Sequence, residues 1–302
     1  MPLHQIAARV APGATLIDHA RLQGGVSALV TSLTLRLPSG ALRRVVVRQQ
    51  DTTTDWKIQE ADAIATEFGI LRALHAAGQR VPAPLLLDTS CRTLPSPYLV
   101  MAHIDGTTDE PPDFIGPMVD ALAALHALDP ERLGLPGLPR RDSPHPEVLD
   151  HLPAGFPDLR ERITALAPWE PLVRPSLLHG DYWSGNILWR GGQIVALIDW
   201  EDAAVGDPLA DLAGARVELL WRHGDAVSTE FTQRYAARTG RDLSRLPLWD
   251  LYVSSAGLAS MPNWGLAPDV LARWQARTRA HIARAATRAR SLMPAAGRGP
   301  RG

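Results

Sequence analysis

Six carboxylates and one histidine crowd the segment between residues 177 and 213. Within it, HGDYWSGN places Asp181 and Asn186 five residues apart, just before a short apolar run, and Asp199 ends the next apolar run. A hairpin of these two runs would bring Asn186 and Asp199 within reach of one divalent ion, and amide and carboxylate oxygens suit Mg²⁺. Asp181 would stay free of the metal and could accept a proton from an attacking hydroxyl. This division of roles is the one that phosphoryl transfer requires.

Some acids of the segment have a simpler interpretation as turn and cap residues, because Asp and Asn are common turn formers. In GDPLADLA, we expect Asp207 to cap a helix that begins at Pro208, and Asp211 falls one turn later on the same helix. We interpret these two as scaffold. The same interpretation is weak for the ordered set H-G-D-x-x-x-x-N, strand, turn, strand, D.

The composition is typical of a globular protein of one large or two smaller domains, with 302 residues, 45% apolar and 21% charged. The net charge of −1 provides no basic field, so we expect no nucleic-acid partner. The single cysteine, Cys91, excludes an intramolecular disulfide and fits a reducing cytosol. The N-terminus lacks the apolar segment of a signal peptide, and no run of about 18 apolar residues occurs. We therefore expect a cytoplasmic protein with no membrane partner.

Hydrophobic patterning predicts an α+β fold, with a small antiparallel sheet and one helix in the first hundred residues and a mainly helical remainder. We place a nucleotide-binding domain at 1–104, a catalytic and acceptor-binding domain at 105–293, and a disordered tail at 294–302. Residues 129–158, rich in Pro and Gly, are predicted as a surface loop. The predicted strands lie within 14–50, VPAPLLLD, SPYLVMAHI, 186–189 and 195–199, and the predicted helices at 58–77, 113–128, 208–223, 225–240, 244–261 and 267–292.

HGDYWSGN, followed by IDWED and GDPLADLA, resembles the aminoglycoside phosphotransferase-like family of small-molecule kinases, within the protein-kinase-like superfamily. The resemblance covers most of residues 20–285 and is most specific at 179–211. It implies a bilobal protein-kinase-like fold that uses ATP or GTP with Mg²⁺. It also implies that Asp181 is the catalytic base, that Asn186 and Asp199 ligate the metal, and that His179 braces the catalytic loop.

The nucleotide side of such a site would begin at QGGVS, where Gly24 and Gly25 let the backbone approach an anion and Ser27 could donate to a phosphate. Gly-Gly also makes ordinary hairpin turns, so this signal depends on the acidic segment. On the third strand, Arg48 stands at the position that matches the family's phosphate-binding cation, where lysine is usual. By the resemblance, Glu67 is the helix carboxylate that pairs with this cation.

The alternatives to Arg48 and Glu67 are Lys57, the only lysine, for the cation, and Glu60 for the carboxylate.

The segment SPYLVMAHIDG resembles the strand that leads into the hinge between the two lobes of the kinase-like fold. Adenine would then bond to main-chain groups near Ala102, His103 and Ile104, with Met101 as pocket wall or core.

The acceptor is expected near Asp181, where Glu201 and Asp202, with Glu218 further on, would suit a cationic hydroxyl compound. The open alternative is that these acids form salt bridges with nearby arginines such as Arg216 and Arg222.

Two tryptophans are candidates for the acceptor pocket, Trp183 in the catalytic loop and Trp264 in the loop MPNWGLAP, because aromatic rings stack on sugars and hold cations.

The leading interpretation is thus a kinase that phosphorylates an aminoglycoside, macrolide, sugar, amino alcohol or hydroxyacyl compound. The alternative is a nucleotide-binding pseudokinase that acts as a regulatory module. Arg48 motivates this alternative, whereas the intact set of Asp181, Asn186 and Asp199 argues against it.

Overall fold

The computed structural model describes residues 2–22, 28–51, 62–135, 137–144, 147–152, 160–161, 163–164 and 174–292. The chain divides into two compact units. The first comprises residues 1–111, 131–137 and 185–201, and the second comprises residues 112–130, 138–184 and 202–302. The hairpin that carries Asn186 and Asp199 therefore groups with the first unit, and the predicted domain boundary at 104 stays a prediction.

The secondary structure alternates between the two units along the chain. Its α-helices include α1 Pro2–Val10, α2 Ala63–Ala76, α3 Ile115–His126, α4 Glu147–His151, α5 Leu209–His223, α6 Asp225–Thr239, α7 Leu246–Ser260 and α8 Pro268–Leu292. The strands are β1 Thr15–Arg21, β2 Ala28–Arg36, β3 Leu42–Gln50, β4 Pro84–Asp88, β5 Tyr98–Ala102, β6 Arg140–Arg141, β7 Ser176–Leu178, β8 Ile187–Arg190, β9 Gln193–Leu197 and β10 Ala204–Gly206.

The first unit is built on an antiparallel sheet with strand order β1-β2-β3-β5-β4. The alternating β-branched and leucine side chains of β2 and β3 bury one face, on which Ile6 and Ala7 of α1 also pack. The register places Arg48 opposite Val30 on β2 and Leu99 on β5, near the end of β3. Helix α1 was not predicted from the sequence.

Helix α2 ends at the glycine that the sequence indicates. Gly78 has φ of 72°, and its amide donates to His75 O while Gln79 N donates to Leu74 O. A left-handed residue at this position satisfies carbonyls of the last turn at no steric cost for glycine.

The hairpin β8–β9 closes through Gly191 and Gly192, which have φ of 58° and 77°. A two-residue turn with both residues left-handed matches the twist of antiparallel strands, which explains the choice of Gly-Gly. Ile187 pairs with Leu197 at the other end of the hairpin. That end presents Asn186 and Asp199.

The second unit combines helices with a three-stranded sheet of order β6-β10-β7. Its buried core includes Leu248, Leu251 and Ile282 from α7 and α8. Residues 129–158, predicted as loop, contain β6 and α4, and β10 was also missed. These elements are two, five and three residues long, too short to show a hydrophobic period.

The predicted α+β class is confirmed, with the antiparallel sheet in the N-terminal part and helices in the C-terminal part. Among the helices that the structure describes, none has both the length and the apolar character needed to cross a membrane.

Candidate active site

The loop that carries Asp181 follows β7 and enters a 3₁₀ turn, Ser184–Asn186, directly before β8. Asp181 itself is exposed. Gly180 has φ of 85°, and a Cβ atom there would lie 1.8 Å from the main-chain oxygen of Asp202. Only glycine fits this position, so the H-G-D sequence is required by the geometry of the loop.

A buried carboxylate from α5 holds the loop in place. Asp211 is 3% exposed and accepts hydrogen bonds from the amides of His179 and Gly180, at 2.7 and 2.9 Å. The ring of His126 lies 3.2 Å from the same carboxylate. Burial alone would raise the pKa of Asp211, but the hydrogen bond from His126 and the amide of His179 lower it. Asp211 therefore fixes the backbone one residue before Asp181.

His179 is fully buried, with its ring edge-on to Tyr182 at 6.0 Å between centroids. Its main-chain amide, which donates to Asp211, ties it to the rest of the loop's support. Tyr182 donates its hydroxyl to Met118 O on α3 at 2.7 Å, which gives the loop a second buried anchor.

Trp183 and Arg222 lie beside the expected base. Trp183 Nε1 donates to Asp181 Oδ2 at 3.2 Å, and the guanidinium carbon of Arg222 lies 4.6 Å from the centre of the Trp183 ring. A cation on the face of an indole is attracted by the ring. Trp183 thus orients one carboxylate oxygen of Asp181 and carries a positive charge on its surface.

Glu218 is a second carboxyl group near Asp181. Burial and, to a smaller extent, the charge of Asp181 outweigh the opposing effect of Arg222, 3.5 Å away, and together raise the pKa of Glu218 to about 7. The carboxyl is therefore partly protonated at neutral pH.

Glu218→Gln is expected to change the dependence of stability on pH. Because the folded-state pKa of Glu218 lies above the ordinary value of 4.5, the folded protein binds this proton more tightly than the unfolded chain. The resulting stabilisation is complete below about pH 4.5 and is lost as the pH rises through 7. Between pH 5 and pH 8 the wild-type protein should lose about 2 kcal/mol relative to the variant, as measured by urea unfolding. A difference that does not vary with pH would contradict this assignment.

Asn186 and Asp199 occupy the open end of the hairpin. Asn186 directly precedes β8, Asp199 lies two residues beyond β9, and Ile198 N donates to Asn186 O at 3.0 Å, so the hydrogen bonding of the hairpin extends to the two candidate ligands. Asp199 has φ of 65°, a rare conformation for a non-glycine residue that is found where a side chain must be aimed. In the described part of the chain, its buried Oδ1 makes no hydrogen bond. An amide and a carboxylate oxygen at this place fit Mg²⁺, which also takes water and phosphate oxygens.

Arg48 is buried among three carboxylates, with 5% exposure. Its Nε donates to Glu67 Oε2 at 2.8 Å, and its Nη2 donates to Glu201 Oε2 at 2.7 Å. The same Nη2 lies 3.0 Å from Asp199 Oδ1, an ionic contact outside hydrogen-bond geometry. Burial opposes the charge of Arg48, but the three carboxylates outweigh it and raise its pKa. For Glu67, 3% exposed, burial outweighs Arg48 and raises the pKa of the carboxyl.

The predicted adenine-binding residues are the last two residues of β5, Met101 and Ala102, and the two that follow it, His103 and Ile104. The amide of Ala102 donates to Ala83 O, and that of His103 donates to Arg44 O. Among the described residues, the amide of Ile104 makes no hydrogen bond. Met101 pairs with Val46 within the sheet and is partly buried.

His103, Ile104 and Asp105 also line a cavity of about 520 Å³. Its other walls include Arg190 and Gln193, which flank the Gly-Gly turn. This cavity therefore lies at the end of the hairpin opposite Asn186 and Asp199.

The acids predicted for the acceptor each have an arginine nearby. Glu201 pairs with Arg48, and Asp202 Oδ1 lies 3.9 Å from Arg141 Nη2. Glu218 pairs with Arg222, as the salt-bridge alternative expected. Their role in acceptor binding stays a prediction.

Trp264 is 39% exposed and meets Trp221 edge-on at 5.3 Å between centroids. The same Trp221 ring stacks on Trp274 at 5.5 Å, so Trp264 belongs to an aromatic cluster on the later helices. The structure gives it no contact with Asp181. Other predicted residues, Gly24, Gly25, Ser27, Lys57 and Glu60, lie outside the described residues.

The sequence profile of the phosphotransferase enzyme family matches residues 23–249, more than half of the chain. The chain belongs to the phosphotransferase enzyme family. This confirms the resemblance drawn from HGDYWSGN, IDWED and GDPLADLA.

Relatives of this phosphotransferase-family chain include acyl-CoA dehydrogenase family member 11 of Gallus gallus, 29% identical over 187 residues, which cover 54% of the chain and 24% of that protein. The chain thus spans about a quarter of the length of this relative. Viomycin phosphotransferase of Streptomyces vinaceus is 27% identical over 177 residues, which cover 51% of the chain and 62% of that protein.

Among solved structures, a thermostable aminoglycoside phosphotransferase in ternary complex with ADP and hygromycin B has a TM-score of 0.62 and 19% identity. The match covers 94% of this phosphotransferase-family chain and 99% of the other. At this identity the likeness shows a shared fold.

Two features of the site went unrecognised in the sequence. One is the role of Asp211 as acceptor for the loop amides, and the other is the contact between Arg48 and Glu201. Asp211 lies 31 and 32 residues from Gly180 and His179, whose amides donate to it, and Glu201 lies 153 residues from Arg48. No local sequence pattern links residues so far apart.

Proposed function

We propose that the chain is a kinase that transfers the γ-phosphoryl group of ATP or GTP to a hydroxyl group of a small molecule. The observation that carries this proposal is the buried pair of Arg48 and Glu67, with Asp199 on the same guanidinium. Phosphoryl transfer in the kinase-like fold depends on such a cation, its helix carboxylate and an aspartate for the metal. A protein that only needed a stable sheet would gain little from a buried ion pair, because desolvation offsets most of its attraction.

In this proposal Arg48 binds nucleotide phosphate, and Asn186 and Asp199 hold Mg²⁺. When bound, the metal neutralises charge on the phosphate oxygens. The amide of Ile104 is available as a donor to the purine ring. Gly24, Gly25 and Ser27 of the QGGVS sequence are proposed to cover the phosphates.

Asp181 is proposed as the base. Its carboxylate accepts the proton of the acceptor hydroxyl, the hydroxyl oxygen forms a bond to the γ-phosphorus, and the bond from that phosphorus to the bridging oxygen breaks to release ADP or GDP. Trp183 holds one oxygen of Asp181, and Asp211 fixes the backbone before it. Chain connectivity keeps Asp181 and Asn186 within about 18 Å of each other at full extension.

The alternative of a pseudokinase module has less support, because the pair of Arg48 and Glu67 is intact and the loop around Asp181 is held by specific bonds. Cytoplasmic location, the proposed domain boundary and the absence of a nucleic-acid partner are part of the same proposal.

The test is release of ADP or GDP by the purified chain with Mg²⁺, screened over hydroxyl compounds that include amino alcohols, sugars, macrolides, aminoglycosides and hydroxyacyl compounds. Release that depends on one class of compound supports the proposal and names the acceptor. Nucleotide binding with no release for any compound would favour the pseudokinase alternative.

A further inference from the structure

Arg48 stands where lysine is usual for the phosphate-binding cation, and the structure shows an unexpected neighbour. Besides Glu67, Arg48 contacts Glu201, which follows Asp199 by two residues. The side chain of Glu201 is 26% exposed, whereas that of Arg48 is 6% exposed. Glu201 therefore reaches inward from the metal-binding turn to the buried guanidinium.

The five N–H groups of an arginine divide among its three nitrogens in a fixed plane. In this structure Nε donates a hydrogen bond to Glu67, and Nη2 donates one to Glu201 and lies close to Asp199. Among the described residues, Nη1 has no partner. Two carboxylates thus accept hydrogen bonds from one edge of the guanidinium, a third faces that edge, and the two N–H groups of Nη1 remain for another anion.

A lysine could not divide its contacts in this way. Its ammonium carries three N–H groups on one atom. Glu67 and Glu201 would take two of them, and Asp199 would compete with a phosphate for the third. The number of acids at this position therefore decides between arginine and lysine.

We propose that Glu201 is a positioning residue matched to Arg48, which fixes the guanidinium so that Nη1 faces the nucleotide phosphates, and that arginine is required at position 48 because Glu201 is present. The inference rests on the proposed function for the identity of the ligand. It assigns Glu201 to the nucleotide rather than to the acceptor.

The test is a double-mutant cycle of Arg48→Lys and Glu201→Gln in the full chain, with ADP affinity as the readout. Arg48→Lys should weaken ADP binding by about tenfold or more when Glu201 is present. In the E201Q background the same change should cost about threefold or less, because a carboxylate that would capture the ammonium is gone.

The matched control is Asp202→Asn, the same type of charge removal at the next residue. Asp202 pairs with Arg141, so Arg48→Lys should cost the same in the D202N background as in the wild type. The unfolding free energy of all variants is measured in parallel. If the contact between Arg48 and Glu201 were merely structural, the two substitutions would be non-additive in unfolding free energy but additive in their effect on ADP affinity.

Equal losses of ADP affinity in the wild-type and E201Q backgrounds would overturn the inference, as would coupling that occurs in stability alone. Failure of the proposed function would look different. ADP would bind, with the expected coupling, but no hydroxyl compound would be phosphorylated. A wild-type chain that binds no ADP would overturn both.

Discussion

Asp181→Asn is expected to lower the rate of phosphoryl transfer by about a thousandfold, because the variant cannot accept the proton of the acceptor hydroxyl. Asparagine keeps the size of the side chain and an oxygen that can accept the bond from Trp183 Nε1. The loop should therefore stay folded. ADP affinity should stay within about twofold of the wild type, since the loss concerns a group needed only in the reaction.

Single-turnover rates and ADP titrations of the same preparations measure the two effects separately. Asp269→Asn serves as the control, because Asp269 lies exposed in the first turn of α8 and pairs only with Arg273 in the described part of the chain. An Asp181→Asn enzyme with more than about a tenth of wild-type activity would exclude Asp181 as the base.

Asp211→Ala should strongly destabilise the protein. It removes a buried carboxylate that accepts from the amides of His179 and Gly180 and from His126, and it leaves those donors buried without their acceptor. Removing one partner of a buried charged network costs about 3–5 kcal/mol. Urea unfolding should show this loss, and phosphoryl transfer should fall with it, because the backbone before Asp181 is no longer fixed.

The comparison for this prediction is Asp269→Ala, which removes an exposed carboxylate from a surface pair and should change stability by less than about 0.5 kcal/mol. Asp211→Asn keeps one oxygen acceptor, so its loss of stability should lie between those of Asp211→Ala and Asp269→Ala. A loss below about 1 kcal/mol for Asp211→Ala would show that the loop amides find other acceptors.

Local patterns in the sequence were sufficient for the elements that position the site. The Gly-Gly turn between β8 and β9, the helix end at Gly78 and the alternation in β2 and β3 each follow from the conformational preferences of a few adjacent residues. The spacing of Asp181, Asn186 and Asp199 along the sequence likewise predicted the hairpin that carries Asn186 and Asp199. Helix α1, by contrast, is nine residues long, and it is stabilised by Ile6 and Ala7 packing on a sheet formed later in the chain.

The contacts that tune the site could not be predicted in this way. Glu201 was a candidate for the acceptor or for a salt bridge with an arginine such as Arg216 or Arg222, and its carboxylate accepts from Arg48, 153 residues earlier, which no local pattern indicates. Asp211 was interpreted as scaffold, which matches its burial, but its contact with the loop before Asp181 depends on how α5 packs. The raised pKa of Glu218 likewise arises from burial, which the sequence does not show at a single helix position.

The most direct test of the central claim is ³¹P NMR of the reaction with ATP, Mg²⁺ and an acceptor found in the screen. We predict a phosphomonoester resonance on the acceptor that grows as the γ-phosphate signal of ATP falls, and no such resonance with Asp181→Asn. Growth of inorganic phosphate alone, or an equal phosphomonoester signal from Asp181→Asn, would contradict the assignment of this chain as a kinase that uses Asp181 as its base.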